Sequence, residues 1–219
     1  MAGRAADPEA GREARGTMTT PRRMGAPDSK TRAALLDVTA TIMIEEGYAA
    51  ATSRRVAAKA GVKPALVHYY FRTMDDLFLA LFRKGAEGNL KRYEQALAAE
   101  NPLRALWELA SEPEGNVLLS EFQALANHRK AIRTEIADYA ERFRALQVKA
   151  ITDRLAETGA DPVAVPPAVL TLVMTGIARL LISEDVLGIA TGHEETLALI
   201  EHYLSAFDAP AKPDQQDRS

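Results

Sequence analysis

The chain has 219 residues, 47% hydrophobic and 26% charged, with a formal net charge of -3 and no cysteine, which is ordinary for a globular protein with one sizeable core or two modest ones. Without cysteine there is no disulfide framework, thiolate metal site or cysteine nucleophile. The longest apolar run, residues 168–182, is interrupted by Thr171, Thr175, Gly176 and Arg179, so no membrane span and a cytoplasmic location are expected.

Residues 1–28 combine Gly, Pro, Arg and Ala with no apolar period and no signal-peptide core. Burial there is too small to repay ordering, and a disordered leader is expected. From Ser29 onward Leu35, Val38, Ile42 and Met43 recur at helical spacing, predicting a first helix that stops at Gly47, with Tyr48 beyond it as a packing anchor. Thr52 or Ser53 can cap a short second helix carrying Val56, Ala57 and Ala60 on one face, and Gly61-Val62 breaks it. A third helix is expected over Lys63 to Phe71, with Pro64 in the first turn, where its missing N–H costs nothing.

Asp75 and Asp76 favour the start of a fourth helix running from Leu77, Leu81 and Phe82 to about Ala99, roughly 37 Å at 1.5 Å per residue. Gly85 and Gly88 weaken its middle by about 1 kcal/mol each relative to alanine and predict a bend. Beyond Asn101-Pro102, helices are expected near residues 102–110, 113–127, 130–158, 167–188 and 194–207, with breaks at Glu112-Pro113, Gly159, Pro166-Pro167 and 188–192. Strand and repeat signals are absent, so the fold class is all-α. The polar, proline-bearing tail from Ala209 is expected to be loose.

Charge is unevenly distributed. Residues 29–84 hold nine Lys/Arg against five Asp/Glu, whereas residues 85–219 hold thirteen against twenty-one. No acid lies between Glu46 and Asp75, but Arg54, Arg55, Lys59, Lys63 and Arg72 do. A patch of one sign on a small domain attracts phosphate.

The stretch Thr52-Ser-Arg-Arg-Val-Ala-Ala-Lys-Ala-Gly-Val-Lys-Pro-Ala-Leu-Val-His-Tyr-Tyr-Phe71, preceded by Gly47-Tyr48 and followed by Asp75-Asp76-Leu77, resembles the DNA-binding signature of the TetR family. The resemblance covers about residues 30 to 84. It implies a helix-turn-helix domain over 29–74 and a helical ligand-binding and dimerisation domain over 75–208. The third helix would enter the major groove. Lys63 can reach guanine O6 and N7, Ala65 and Leu66 a thymine methyl, and Arg54 either a base or a phosphate. The resemblance makes Arg54, Lys63, Pro64, Ala65 and Tyr69 groove-lining positions, His68 and Tyr70 backbone contacts, and Thr52 and Ser53 phosphate contacts at a helix start. Packing against helices one and four is the alternative for Tyr69 and Tyr70.

Some positions depart from the family pattern: Lys63 stands where a small capping residue is frequent, Ala65 where glycine is, His68 where tyrosine is, and Met74 where a phosphate-binding lysine is usual. Arg72 is the candidate to compensate for Met74.

Catalysis and metal binding are not expected. The histidines His68, His128, His193 and His202 are scattered, no His-Glu-x-x-His pair appears, and no glycine-rich phosphate loop or cofactor motif exists. Phe82, Trp107, Leu118, Phe122, Leu125, Phe143 and Met174 are candidate pocket residues for an unknown small-molecule inducer, apolar or amphipathic. Leu170, Val173, Ile177, Leu181, Leu197, Ile200 and Leu204 on the last two helices are candidate homodimer contacts. The resemblance therefore implies a twofold repressor on an inverted-repeat operator in double-stranded DNA.

Overall fold

The structure is a computed structural model that describes residues 30–158 and 166–208. The expected leader, the break at Gly159 and the tail from Ala209 lie outside the described residues. Among these, nine α-helices and no strand are formed: α1 (Lys30–Glu46), α2 (Ser53–Lys59), α3 (Pro64–Tyr70), α4 (Met74–Leu97), α5 (Pro102–Ala110), α6 (Pro113–Ala126), α7 (Lys130–Thr158), α8 (Pro167–Leu187) and α9 (His193–Asp208). The sequence reading has the same elements, with ends that differ by a residue or two.

Two local features were not foreseen. A single 3-10 turn, Tyr48–Ala50, follows α1. It is entered through Gly47 at φ +83°, in the left-handed region that favours glycine. The start of α4 is a capping box: the Thr73 hydroxyl accepts the Asp76 N–H at 3.1 Å, and the Asp76 carboxylate accepts the Thr73 N–H at 3.0 Å. Both donors would otherwise be orphaned at the helix end. Thr73→Ala is expected to lower stability by about 1 kcal/mol, read from the urea midpoint at unchanged slope.

Packing divides the interior in two. The larger core joins Leu35, Leu36, Ile42 and Met43 of α1 to Val56, Val67, Leu77, Phe78, Leu81 and Phe82, and then to Phe122 and Leu125 of α6 and Ile132 of α7. It runs from the helix-turn-helix into the bundle without a gap. The smaller core gathers Leu103, Ile151, Leu155 and Leu204, with Trp107, Leu170, Met174 and Ile200 partly buried around it. Ile151 and Leu155 of α7 share this cluster with Leu170 and Met174 of α8, so the two helices pack on each other there. The glycine-weakened stretch of α4 stays in one unbroken helix, and an added Cβ at Gly85 or Gly88 would meet nothing within 4 Å. Among the described residues no helix is long and apolar enough to cross a membrane.

Candidate nucleic-acid interface

The turn between α2 and α3 positions the candidate reading surface. Gly61 takes φ +66°, and the Val62 N–H donates to the Ala57 carbonyl at 2.9 Å, closing the turn. Val56, Ala57, Val67 and Phe71 are buried against α1 and α4, while Ala60, expected on the same face as Val56 and Ala57, is half-exposed at the rim, as is Val62. The Arg32 guanidinium lies 5.1 Å from the centre of the Phe71 ring, pinning the start of α1 to the end of α3.

On the opposite side Lys63, Pro64, Ala65, His68 and Tyr69 are exposed together, with Arg54 and Thr52 exposed at the start of α2 and Ser53 half-buried beside them. Lys63 occupies the cap position of α3 without a side-chain cap bond, so its ammonium is free to project. Thr52 is partly engaged, its hydroxyl accepting the Arg55 N–H at 3.2 Å. Tyr70 is half-buried and packs on the core with the edge of its ring toward Tyr69, centroids 5.2 Å apart. Met74 also packs on the core, and Arg72 is exposed.

The acid-free window of the sequence is not acid-free in space. Glu46, at the end of α1, takes Arg55 through two hydrogen bonds of 3.0 and 2.6 Å, and Glu45 pairs with Lys59. The Arg55 guanidinium holds the Glu46 carboxyl below its usual range. Two of the five cations are thereby neutralised by the neighbouring helix. Arg54, Lys63 and Arg72 form no ion pair among the described residues. Sequence reading missed this because the pairs cross a loop, joining residues 9 and 14 apart. Lys63→Ala is expected to weaken binding to the preferred sequence by about 1–3 kcal/mol and to relax base preference, measured by competition between that sequence and random duplex. Unchanged preference would remove Lys63 from the base-reading set.

The surface is tied to the rest of the chain in more than one place. The Glu121 carboxylate on α6 accepts the Tyr48 N–H at 2.6 Å, and a Cβ at Gly47 would lie 3.6 Å from the same carboxylate. Arg129, just before α7, pairs with Asp75 at 2.8 Å, and Arg83 of α4 with Glu135 at 2.6 Å. The Glu121 contact spans 73 residues, and no local pattern signals it.

The seven candidate pocket residues do not gather around one point. Phe82, Leu118, Phe122 and Leu125 belong to the larger core, and Trp107 and Met174 to the smaller. Phe143 belongs to neither list, its ring 4.0 Å from that of Tyr93 and 5.8 Å from that of Tyr139, which packs on the larger core. Helical spacing marks every buried face alike, which is why it does not separate packing from a pocket. A groove of about 330 Å³ at the end of α4 and the start of α5 is lined by Leu97, Pro102, Leu146 and Asp153, among others, and by none of the seven.

The candidate dimer residues also divide. Leu204 is 4% exposed and packs within its own chain, with Leu170 and Ile200 against it. Ile177 and Leu181 are half-buried, and Val173 and Leu197 are exposed. The outward apolar face takes in Val173 and Leu197 of this set together with Val169, Leu172 and Leu180 of α8 and Leu199 and Tyr203 of α9. Helix α8 is apolar nearly all round, so its sequence period has no unique phase and the choice of face is not legible.

Residues 35–81 match the family model described as "Bacterial regulatory proteins, tetR family". The chain is 24% identical over 184 residues to the HTH-type transcriptional regulator BetI of Rhizobium meliloti, covering 80% of this chain and 88% of the relative. Among solved structures, a TetR-family transcriptional regulator from Rhodococcus sp. superposes with a TM-score of 0.66 at 18% identity, over 83% of this chain and all of that one. A transcriptional regulator from Saccharomonospora viridis in complex with choline superposes with a TM-score of 0.64 at 16% identity, over 80% and 94%. The structures establish the shared fold along four fifths of the chain. The family match falls on the segment that builds the exposed face of α3, and in that segment the chain is similar to the DNA-binding region of TetR-family transcriptional regulators.

Proposed function

We propose that the protein is a homodimeric repressor that holds an inverted-repeat operator with two copies of the α2–α3 head and releases it when a small molecule occupies the C-terminal bundle. In this reading residues 29–74 are the head and residues 75–208 the sensor and dimerisation domain. The observation that carries it is the continuity of α4. Its first turns place Leu77 and Phe78 in the core of the head, and its later turns place Tyr93 in the interior of the bundle. One rigid element thus touches both ends. The Glu121–Tyr48 hydrogen bond adds a second route through α6.

Dimerisation is supported by the outward apolar faces of α8 and α9, where Leu172, Leu180, Leu199 and Tyr203 are each about half exposed in the single chain. Such a contiguous patch is unusual on a monomer. A neighbour of the same fold, the S. viridis regulator, was solved in complex with choline, which supports a small-molecule-sensing role. Heads on a twofold dimer meet successive major grooves about 34–36 Å apart, so a few degrees of tilt in each α4 misplaces both.

Selection of bound sites from a random duplex library tests the reading. It should recover an inverted repeat occupied by two chains, and one chain on an asymmetric half-site would refute it. Alanine at Gly85 and Gly88 fits without a clash and should stiffen α4, by up to about 1 kcal/mol per site in helix propensity. The ratio of operator affinities with and without the small molecule that copurifies with the protein is expected to change in the double variant. An unchanged ratio would take this segment out of the signal path.

A further inference from the structure

No packing contact of α4 calls for the two glycines near its middle. Gly85 and Gly88 are both exposed, neither stands at a positive φ, and an added Cβ at either would meet nothing within 4 Å. Neither a turn nor a close approach requires glycine there, yet each lowers helix stability relative to alanine. Residues that weaken the straight helix without serving it are accounted for by a second form, in which this segment bends.

The adjoining face of the same segment is held to α7. Phe82, Ala86, Asn89 and Tyr93 follow at steps of three and four residues and so share that face. The Tyr139 hydroxyl of α7 donates to the Ala86 carbonyl at 2.6 Å, and the Asn89 side chain is hydrogen-bonded to the same hydroxyl. One turn earlier on both helices, Arg83 donates to Glu135 through two hydrogen bonds of 2.7 and 2.6 Å. Burial pushes the Tyr139 phenol above the usual tyrosine range, against the smaller pulls of Asn89 and Arg142, so at neutral pH it keeps the proton it donates.

This tie differs from the other hydroxyl bonds to helix carbonyls. Thr39, Ser120 and Thr171 donate within their own helices, four residues back, whereas Tyr139 reaches a second helix across 53 residues of sequence. An internal helix carbonyl already serves the N–H four residues on, and Tyr139 takes its second lone pair. The Tyr139 ring also stands edge-on to Phe82, centroids 5.7 Å apart, and is stacked with Phe143 at 5.8 Å. Phe82 meets Phe122 at 5.3 Å in the larger core, and Phe143 meets Tyr93 at 4.0 Å. The α4 aromatics before and after the glycine segment are thus both braced by Tyr139 and Phe143.

We propose that α4 is a two-position element with Tyr139 as its latch: the hydroxyl bonded to Ala86 and Asn89 holds the segment from Gly85 to Gly88 straight, and its release lets the head-bearing turns bend away. The inference rests on the reading of α4 as the element that carries the head, and it names the contact that sets its shape.

The test compares the full chain as wild type, Tyr139→Phe, Gly85→Ala with Gly88→Ala, and all three substitutions together. Phenylalanine keeps the ring contacts and removes only the hydroxyl. Amide hydrogen exchange over residues 84–92 is expected to quicken about three- to tenfold in Tyr139→Phe, the effect of one lost hydrogen bond, with α9 exchanging as in wild type. Affinity for the duplex recovered by site selection should fall about twofold or more, because docking of both heads draws on the straight form alone. In the alanine background the same substitution should quicken exchange less than about twofold and leave affinity unchanged, since the bent form is then too rare to matter.

Wild-type exchange in Tyr139→Phe would overturn the proposal, as would equal quickening in α9, which marks a general loss of stability. So would the same fold-change with and without the alanines, because the hydroxyl and the glycines would then act independently. If the exchange pattern is as expected but affinity is the same in every chain, the latch stands and the reading of α4 as carrier of the head falls. If the alanines alter affinity while Tyr139→Phe exchanges as wild type, that reading stands and the latch falls.

Discussion

Leu77→Ala is expected to cost about 2–5 kcal/mol of folding free energy, the range for removing a fully buried leucine side chain from a packed core. Leu77 is 0% exposed in the first turn of α4 and belongs to the core shared by α1, α2, α3, α4 and α6. Leu35, Ile42, Val56 and Val67 of the same core are themselves within 1% of full burial, which leaves little room for the space to close. The measurement is urea denaturation followed by helical circular dichroism and, separately, by the fluorescence of Trp107, the single tryptophan. Trp107 packs on the smaller core, far from the substitution in sequence. Because the larger core continues into α6 and α7, both signals should shift together. A shift confined to circular dichroism would mean that the head unfolds alone, and a cost below about 1 kcal/mol would mean that Leu77 is less tightly packed than its burial implies.

How much of this molecule was legible in the sequence depends on whether the signal was local. Helix ends written by nearby residues were readable: Gly47 and Gly61 mark backbone positions that demand a positive φ, and Pro64, Pro102, Pro113 and Pro167 each stand in a first turn. The exposed set Lys63, Ala65, His68 and Tyr69 followed from the buried set Val56, Ala57 and Val67, because a short helix with one face fixed has little choice about the other. Partners brought together by folding were not readable. Glu46 reaches back across a loop to Arg55, and Glu121 reaches Tyr48 across 73 residues. The outward face of α8 escaped for another reason: with Leu, Val, Ile and Met around most of its circumference, only its neighbours decide which residues stay uncovered.

Affinity for random-sequence duplex DNA is expected to fall about a thousandfold between about 50 and 200 mM salt, if Arg54, Lys63 and Arg72 of each head meet phosphate in a dimer. The estimate follows from roughly six neutralised phosphates and a slope near −0.9 per phosphate. All five cations of the window would give a steeper fall, but Arg55 and Lys59 already have Glu46 and Glu45 as partners. Substituting glutamine at both acids converts the spatial arrangement into the one the sequence alone suggested, a patch of five unpaired cations. The side chains of both pairs are well exposed to solvent, and exposed ion pairs contribute little to folding, so the variant should remain folded. It should bind random duplex at least about tenfold more tightly at low salt, with a visibly steeper dependence on log salt. Preference for the selected operator should narrow, because the added attraction is blind to sequence. A wild-type slope in the double glutamine variant would mean that Glu45 and Glu46 do not mask the patch. A flat salt dependence in the wild type would remove the exposed face of α2 and α3 from the DNA interface.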